Sequence, residues 1–290
     1  MSELKETKAP VVARFSPVIA AQRRQLPGFV SLLYVDLDLA GGLASPVVVL
    51  DDFRVRDLPF SPHPHAGFAA VTYVLQDSEG GVRSRTSLGN DIVVDPGGIV
   101  WTHAGSGLIH EEIPADRNRE LHGLQIFVNL TSRTKLSKPQ VFLLQPSEVP
   151  EWRGEAGDRV RVVVGSFEGV SSPLVPVEPF SMFDIDLRRD ISLGLPPARN
   201  AVVYVLNGSV VVRAGDLNQN VATGHAVAIG GAGQVVRLAA SETSNLIVLS
   251  GAEIREPAIF EGPFLMNDRS QIQSAAARFR AGEMGDLKPL

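Results

Sequence analysis

Short apolar segments rich in Val, Ile, Leu and Phe recur along this chain, and Gly, Pro, Asn and Asp divide them at intervals of about 8–12 residues. Patterns with helical spacing are mostly missing. Strands this short and this regularly interrupted are typical of β-sandwiches and β-barrels. The sequence therefore predicts an all-β fold, with strands in VSLLYVDLDL (30–39), AAVTYVLQ (69–76), LHGLQIFVNL (121–130) and RVRVVVGSF (159–167).

The second half of the chain repeats the pattern of short strands and turns seen in the first half. In AVVYVLNGSVVV (201–212), the pair Asn207-Gly208 is a strong signal for two strands joined by a two-residue β-hairpin turn. A longer polar turn joins the two predicted strands of AVTYVLQDSEGGVRSRTSL (70–88). This similarity suggests that the chain contains two duplicated barrels.

The boundary between the barrels is predicted near residue 147. With 290 residues, the chain is longer than one ordinary domain needs. The polar, Pro-containing segment LQPSEVPEWRGEAGD (144–158) has the composition of a linker. We therefore expect tandem barrels at 1–146 and 147–290. One C-terminal helix is expected within 267–284, because Asn and Asp precede apolar residues at helical spacing.

Composition excludes several classes of function. The formal net charge is −5 and the positive residues are scattered, which argues against direct binding of nucleic acid. The chain has no cysteine, so any metal must be held by nitrogen and oxygen atoms. The start MSELKETKAP is polar, and no run of about 18 apolar residues occurs. We therefore expect a cytoplasmic protein without a membrane segment.

Two pairs of residues carry the strongest chemical signal. His63 and His65 lie two residues apart in SPHPHAGF, and His110 and Glu112 have the same spacing in GLIHEEIP. Residues two apart on a strand share one face and lie about 6.6 Å apart. If the two pairs lie on neighbouring strands, three imidazoles and one carboxylate converge on one metal ion. This set is typical of non-haem Fe(II) sites, with Mn, Ni, Co or Cu as alternatives, and leaves two coordination positions for substrate and O₂.

Other residues near these pairs have two interpretations. Glu111 is expected in solvent, because strand alternation turns it away from Glu112. Four further residues are candidates for the wall of a substrate pocket, with packing in the core or a structural role as the alternative: Phe53, Phe68, Trp101 and His103. In the second half, GLPPARNA (194–201) takes the place of HPHAGF and has no histidine, so we expect a metal in the first barrel alone.

Five stretches, in this order over most of the chain, resemble the pirin family of bicupins: HPHAGFAAVTYVL, TSLGND, DPGGIVWTHAGSGLIHEEIP, LHGLQIFVNL and REPAIFEGPFLMN. The resemblance implies two tandem cupin barrels, with one iron held by His63, His65, His110 and Glu112. It also implies a second cupin without metal, and a monomer. Family members commonly read HPHRGFET, so this chain differs from them at Ala66, Ala69 and Ala70.

The resemblance implies two alternative functions. Many pirins open the central ring of the flavonol quercetin with O₂ and release carbon monoxide, and Glu112 would then be both metal ligand and general base. Others are regulators that bind a transcription factor or a metabolic enzyme, and the iron would then act as a redox sensor. If the protein is an enzyme, we expect a substrate-sized cavity that opens at the metal. If it is a sensor, we expect a closed pocket. A purely structural bicupin is a third alternative.

Overall fold

A computed structural model describes residues 13–231 and 233–290, and it confirms the all-β prediction with one short C-terminal helix. The predicted polar start, residues 1–10, lies outside the described residues. Within the described ranges, no helix is long and apolar enough to cross a membrane.

The first half of the chain supplies thirteen strands among the described residues. They are β1 Arg14–Phe15, β2 Ile19–Ala20, β3 Gln22–Arg23, β4 Phe29–Tyr34, β5 Val47–Val55, β6 His63–His65, β7 Phe68–Val74, β8 Val82–Thr86, β9 Asp91–Val94, β10 Ile99–His103, β11 Leu108–Pro114, β12 Leu121–Asn129 and β13 Gln140–Leu144. Short 3-10 helices lie at Leu37–Ala40 and Pro146–Glu148.

The second half continues this pattern and ends in the helix. Its elements are β14 Glu151–Arg153, β15 Arg159–Val164, β16 Ser166–Phe167, β17 Val170–Ser171, β18 Phe180–Leu187, β19 Asp190–Leu195, β20 Arg199–Asn207, β21 Ser209–Ala214, β22 Leu217–Ala222, β23 His225–Gly230, β24 Gln234–Ala240, β25 Ser244–Ala252, β26 Ile259–Glu261, β27 Phe264–Met266 and α1 Arg269–Arg280.

Each barrel consists of one large and one small antiparallel sheet. In the first barrel, the large sheet has the order β13-β10-β7-β12-β5-β4-β3 and the small one β6-β11-β8-β9. In the second barrel, the large sheet has the order β1-β23-β20-β25-β18-β15-β14, with β2 also paired to β23, and the small one is β19-β24-β21-β22. The strand orders correspond, so β19 and β20 take the places of β6 and β7. The structure therefore shows the duplication that the sequence suggested.

The predicted hairpin at Asn207-Gly208 is wrong. β20 pairs with β23 and β25, whereas β21 pairs with β22 and β24. β20 lies inside its sheet between β23 and β25, so it has no free edge for β21. Gly208, with φ +84°, instead turns the chain from the large sheet into the small one. The link between β7 and β8 makes the same change of sheet.

The two ends of the chain each pack against the distant barrel. β1 and β2 pair with β23 in the second barrel. β27 and α1 pack instead against the first barrel, in an apolar cluster that joins Ile272 and Phe264 to Ala66 and Ile109. The large sheets of the two barrels bury the largest apolar cluster between them. The division of the chain near residue 147 stays a prediction.

Candidate metal centre

Strand pairing brings the two sequence pairs together. β6 and β11 are antiparallel neighbours, with His63 opposite His110 and His65 opposite Leu108. Because residues two apart share a face, both histidines of β6 point to the same side as His110. The neighbouring strands that the sequence argument required are therefore present.

Three imidazoles converge at this point. The ligand nitrogens of His63, His65 and His110 all lie within 4.8 Å of one another. The Nε2 atoms of His63 and His110 are 3.1 Å apart. His63 Nδ1 lies 2.8 Å from the carbonyl oxygen of Ser61, so it donates its proton there and leaves Nε2 with a free lone pair.

Burial keeps these imidazoles neutral. It lowers the pKa of His63, and together with the neighbouring His63 it lowers the pKa of His65 to about 3. Burial, with His65 and His63 nearby, also holds the pKa of His110 well below its usual value. A metal ion needs neutral imidazoles as ligands, so the group is ready to bind one at neutral pH.

The donor set fits a metal ion. The convergent atoms are imidazole nitrogens, with the Nε2 atoms of His63 and His110 facing each other and the ligand nitrogen of His65 close by. Neutral imidazole nitrogens at this spacing are a donor set that a metal ion accepts. His63, His65 and His110 could therefore hold a metal ion. Within the described residues, the second barrel has no such group of ligands.

Glu112 faces the same cavity without belonging to that close group. Its Oε2 accepts a hydrogen bond of 2.5 Å from the Thr72 hydroxyl on β7. Burial raises the pKa of Glu112 to about 7, while the Thr72 hydrogen bond opposes the increase. A carboxylate with this pKa can take up and release a proton near neutrality.

A cavity of about 340 Å³ opens beside the three histidines. Aromatic rings form much of its wall: Phe29, Phe53, Phe60 and Phe127. Its rim includes exposed side chains, Arg24 and Phe60, so the cavity opens to solvent. This volume and this mixture of apolar walls with few polar groups are typical of small-molecule sites.

The structure places one of the four candidate wall residues on this cavity. Phe53 lines it, whereas Phe68, Trp101 and His103 do not. Phe68 is fully buried behind His65, with ring centroids 5.0 Å apart. Trp101 points to the other barrel and packs on Phe180, and His103 Nε2 lies 2.8 Å from Ser137 Oγ.

Sequence reasoning missed three polar residues of the cavity wall: Asp51, Thr72 and Gln125. Thr72 could have been found, because it is a polar residue inside the apolar run AAVTYVL. Burial raises the pKa of Asp51 to about 6, and the charge of Arg24 opposes this increase. Gln125 gave no signal, because a single amide on a strand is common.

Comparisons with known proteins agree with this site and fold. The pirin family model matches residues 21–128, and the model of the pirin C-terminal cupin domain matches residues 180–285. A Vibrio cholerae protein named "Putative quercetin 2,3-dioxygenase" is 34% identical over 250 residues, which cover 82% of this chain and 86% of that protein.

Human pirin is 30% identical over 244 residues, which cover 83% of each chain. A crystal structure of quercetin 2,3-dioxygenase from Acinetobacter baumannii aligns with a TM-score of 0.81 and 25% identity, over 94% of this chain and 99% of that one. Both family models, the sequence relatives and the paired barrels lead to one conclusion: the chain belongs to the pirin family of two-cupin proteins.

Proposed function

We propose that this protein is a metal-dependent dioxygenase that opens the central ring of a flavonol such as quercetin with O₂ and releases carbon monoxide. One observation carries the proposal: three neutral imidazoles and a carboxylate meet at a cavity that opens to solvent. The names of the V. cholerae and A. baumannii relatives support the same activity.

The aromatic walls suit a flat, aromatic substrate. Phe53 and Phe127 lie on the cavity, and the Phe127 ring centroid is 5.4 Å from that of His65. Stacking against such rings would hold a flavonol with its oxygen atoms toward the histidines. The Gln125 amide and the Asp51 carboxyl group supply hydrogen-bonding partners for its hydroxyl groups.

An iron ion held by His63, His65 and His110, with Glu112 as a further ligand, would supply Lewis-acid and redox chemistry to the substrate and O₂. Mn, Ni, Co or Cu would suit the same donor atoms. Glu112 has a second role in this proposal. Its carboxyl group, with a pKa that burial raises to about 7, can take the proton of the 3-hydroxyl group while Thr72 holds Oε2.

The first test is quercetin consumption with detection of carbon monoxide, on protein loaded anaerobically with Fe(II) and then given air. We expect turnover with carbon monoxide in the native protein and in the control His225→Ala, and neither in His63→Ala/His65→Ala.

In the same assay, Glu112→Gln should keep bound iron and lose about 100-fold or more of its turnover, as expected for loss of a general base. Glu155→Gln, a change at an exposed carboxylate, should be normal.

Other results would contradict the proposal. Bound iron without turnover in the native protein would instead favour the regulator that binds a protein partner. Normal turnover in Glu112→Gln would remove Glu112 as the base and leave the dioxygenase assignment in place. The open cavity does not favour the sensor, because a sensor needs no route to the metal for a molecule of flavonol size.

A further inference from the structure

The second barrel contains a larger cavity than the first. Its volume is about 820 Å³, and its wall is mostly apolar, with Leu195, Val203, Ile229 and Val248 among its residues. These side chains belong to the apolar core of this barrel. The barrel without the histidine group therefore has room for a molecule of ordinary ligand size.

One cation lies on this apolar wall. Arg199 is half-buried at the start of β20, within the segment that replaces the HPHAGF motif of the first barrel. Because β19 and β20 correspond to β6 and β7, Arg199 begins the strand that follows the counterpart of the histidine strand β6.

The guanidinium is held on one side only. Its Nη2 donates to the carbonyl oxygen of Ser250 at 2.6 Å and to the hydroxyl oxygen of Ser181 at 3.2 Å. Its Nε lies 3.4 Å from the hydroxyl oxygen of Ser250. Among the described residues, its Nη1 has no hydrogen-bond acceptor and no carboxylate lies within ion-pair distance. Glu168, which also lines the cavity, lies on the exposed turn between β16 and β17.

An unpaired arginine in apolar surroundings is unusual. Burial lowers the pKa of Arg199, and loss of hydration without a counterion is unfavourable for the folded state. Arginine nevertheless stays protonated in proteins, and the N–H groups of its free Nη1 can donate charge-assisted hydrogen bonds to a carboxylate. A bound organic anion would supply the missing counterion and so offset the unfavourable free energy of burying the guanidinium.

We propose that the second barrel binds an organic carboxylate with an apolar body, whose carboxylate pairs with Arg199 and whose apolar part fills the cavity beside Leu195 and Val248. This site does not involve the histidines of the first barrel. It gives the second cupin a binding role without metal.

The test uses three probes, 4-phenylbutyrate, decanoate and the neutral analogue 4-phenylbutan-1-ol, in calorimetric titrations of the full-length protein freed of metal. Both acids should bind with one site per chain, and the alcohol should bind about tenfold or more weakly than 4-phenylbutyrate. Arg199→Gln should weaken binding of the acids by a similar factor. Arg213→Gln, on the exposed face of β21, should bind them like the native protein.

Three results would overturn the proposal. One is equal binding of the acid and the alcohol by the native protein, which needs no variant to fold. Another is unchanged binding of both acids by a folded Arg199→Gln. The third is no saturable binding of either acid at concentrations up to about 1 mM, which is the weakest affinity expected for a built site.

Discussion

Lys135 is a deeply buried charged side chain in the loop after β12, with 1% of its surface exposed. Its Nζ donates to Asn129 Oδ1 at 2.5 Å and to the carbonyl oxygens of Gly67 at 3.0 Å and Leu265 at 3.3 Å. It thus joins the loop after β12 to the turn after β6 and to β27. Burial lowers the pKa of Lys135 to about 8, against the opposing charges of Glu256 and Glu178.

This pKa predicts how stability depends on pH. Below about pH 8, Lys135 is protonated in both the folded and the unfolded chain. Between about pH 8 and 10.5, only the unfolded chain keeps the proton, so the free energy of unfolding rises with pH through this group. From about pH 7 to about pH 9.5, the free energy of unfolding of the native protein should rise by about 2 kcal/mol more than that of Lys135→Met.

Urea unfolding at the two pH values measures this difference. Lys138→Met is the matched control, because Lys138 lies in the same loop and is exposed. It should show the same pH dependence as the native protein. If the free energy of unfolding of Lys135→Met rose as much as that of the native protein, Lys135 would have an ordinary pKa in the folded chain.

At the level of elements, the turn after β6 approaches β27 unusually closely at Gly67. This residue has φ +88°, and a Cβ atom added to it would lie 1.9 Å from the carbonyl oxygen of Leu265. Gly89 has nearly the same φ, +91°, with no atom within 4 Å of the added Cβ. The pair separates the effect of backbone conformation from that of close contact.

Gly89→Ala should therefore lower the free energy of unfolding by about 1 kcal/mol, through backbone strain alone. Gly67→Ala should lower it by at least about 2 kcal/mol more, because β27 must move away from the first barrel. Denaturant titrations of the two variants give both values. Equal losses would show that β27 shifts at little cost.

Local patterns predicted some elements well. Alternation and turn residues located the strands, and the helix begins after Asp268, whose side chain accepts a hydrogen bond of 2.9 Å from Gln271 N. The histidine pairs were predictable because i, i+2 spacing fixes a shared face within one strand. The hairpin at Asn207-Gly208 was wrong because strand partners depend on the whole sheet.

The pocket wall was harder to predict for a related reason. All five residues of β10 are buried, since one face of the strand meets the first barrel's interior and the other meets the second barrel. Alternation then gives no signal for which face lines a cavity, and Trp101 lies on the side away from it. Glu111 does turn away from Glu112, but it is buried and paired with Arg85 Nη1 at 2.7 Å rather than solvated.

At the scale of the molecule, a buried polar network joins the barrels. Tyr73 on β7 donates to Asp184 Oδ2 on β18 at 2.5 Å, and it accepts from Arg161 Nη1 on β15 at 2.8 Å. Gln76 Nε2 also donates to Asp184 Oδ2, at 2.8 Å. Burial raises the pKa of Asp184, while the hydrogen bond from Tyr73 opposes this. The Tyr73 hydroxyl therefore stabilises the contact between the two halves.

Tyr73→Phe should lower the free energy of unfolding by about 1–3 kcal/mol, because it leaves buried polar groups without a partner. Tyr34→Phe makes the same chemical change, but that hydroxyl donates only to Gln22 Oε1 in an exposed contact of 2.8 Å. Its effect should stay within about 0.5 kcal/mol. Calorimetric unfolding of both variants measures the two losses. Equal losses would show that the buried network does not stabilise the contact between the barrels.

The exchanged chain ends also fix an order of events during synthesis. The histidines of β6 and β11 leave the ribosome long before β27 and α1, which pack behind them against Ala66 and Ile109. The apolar side of the first barrel at Ala66 and Ile109 therefore stays uncovered until the last residues of the chain are made.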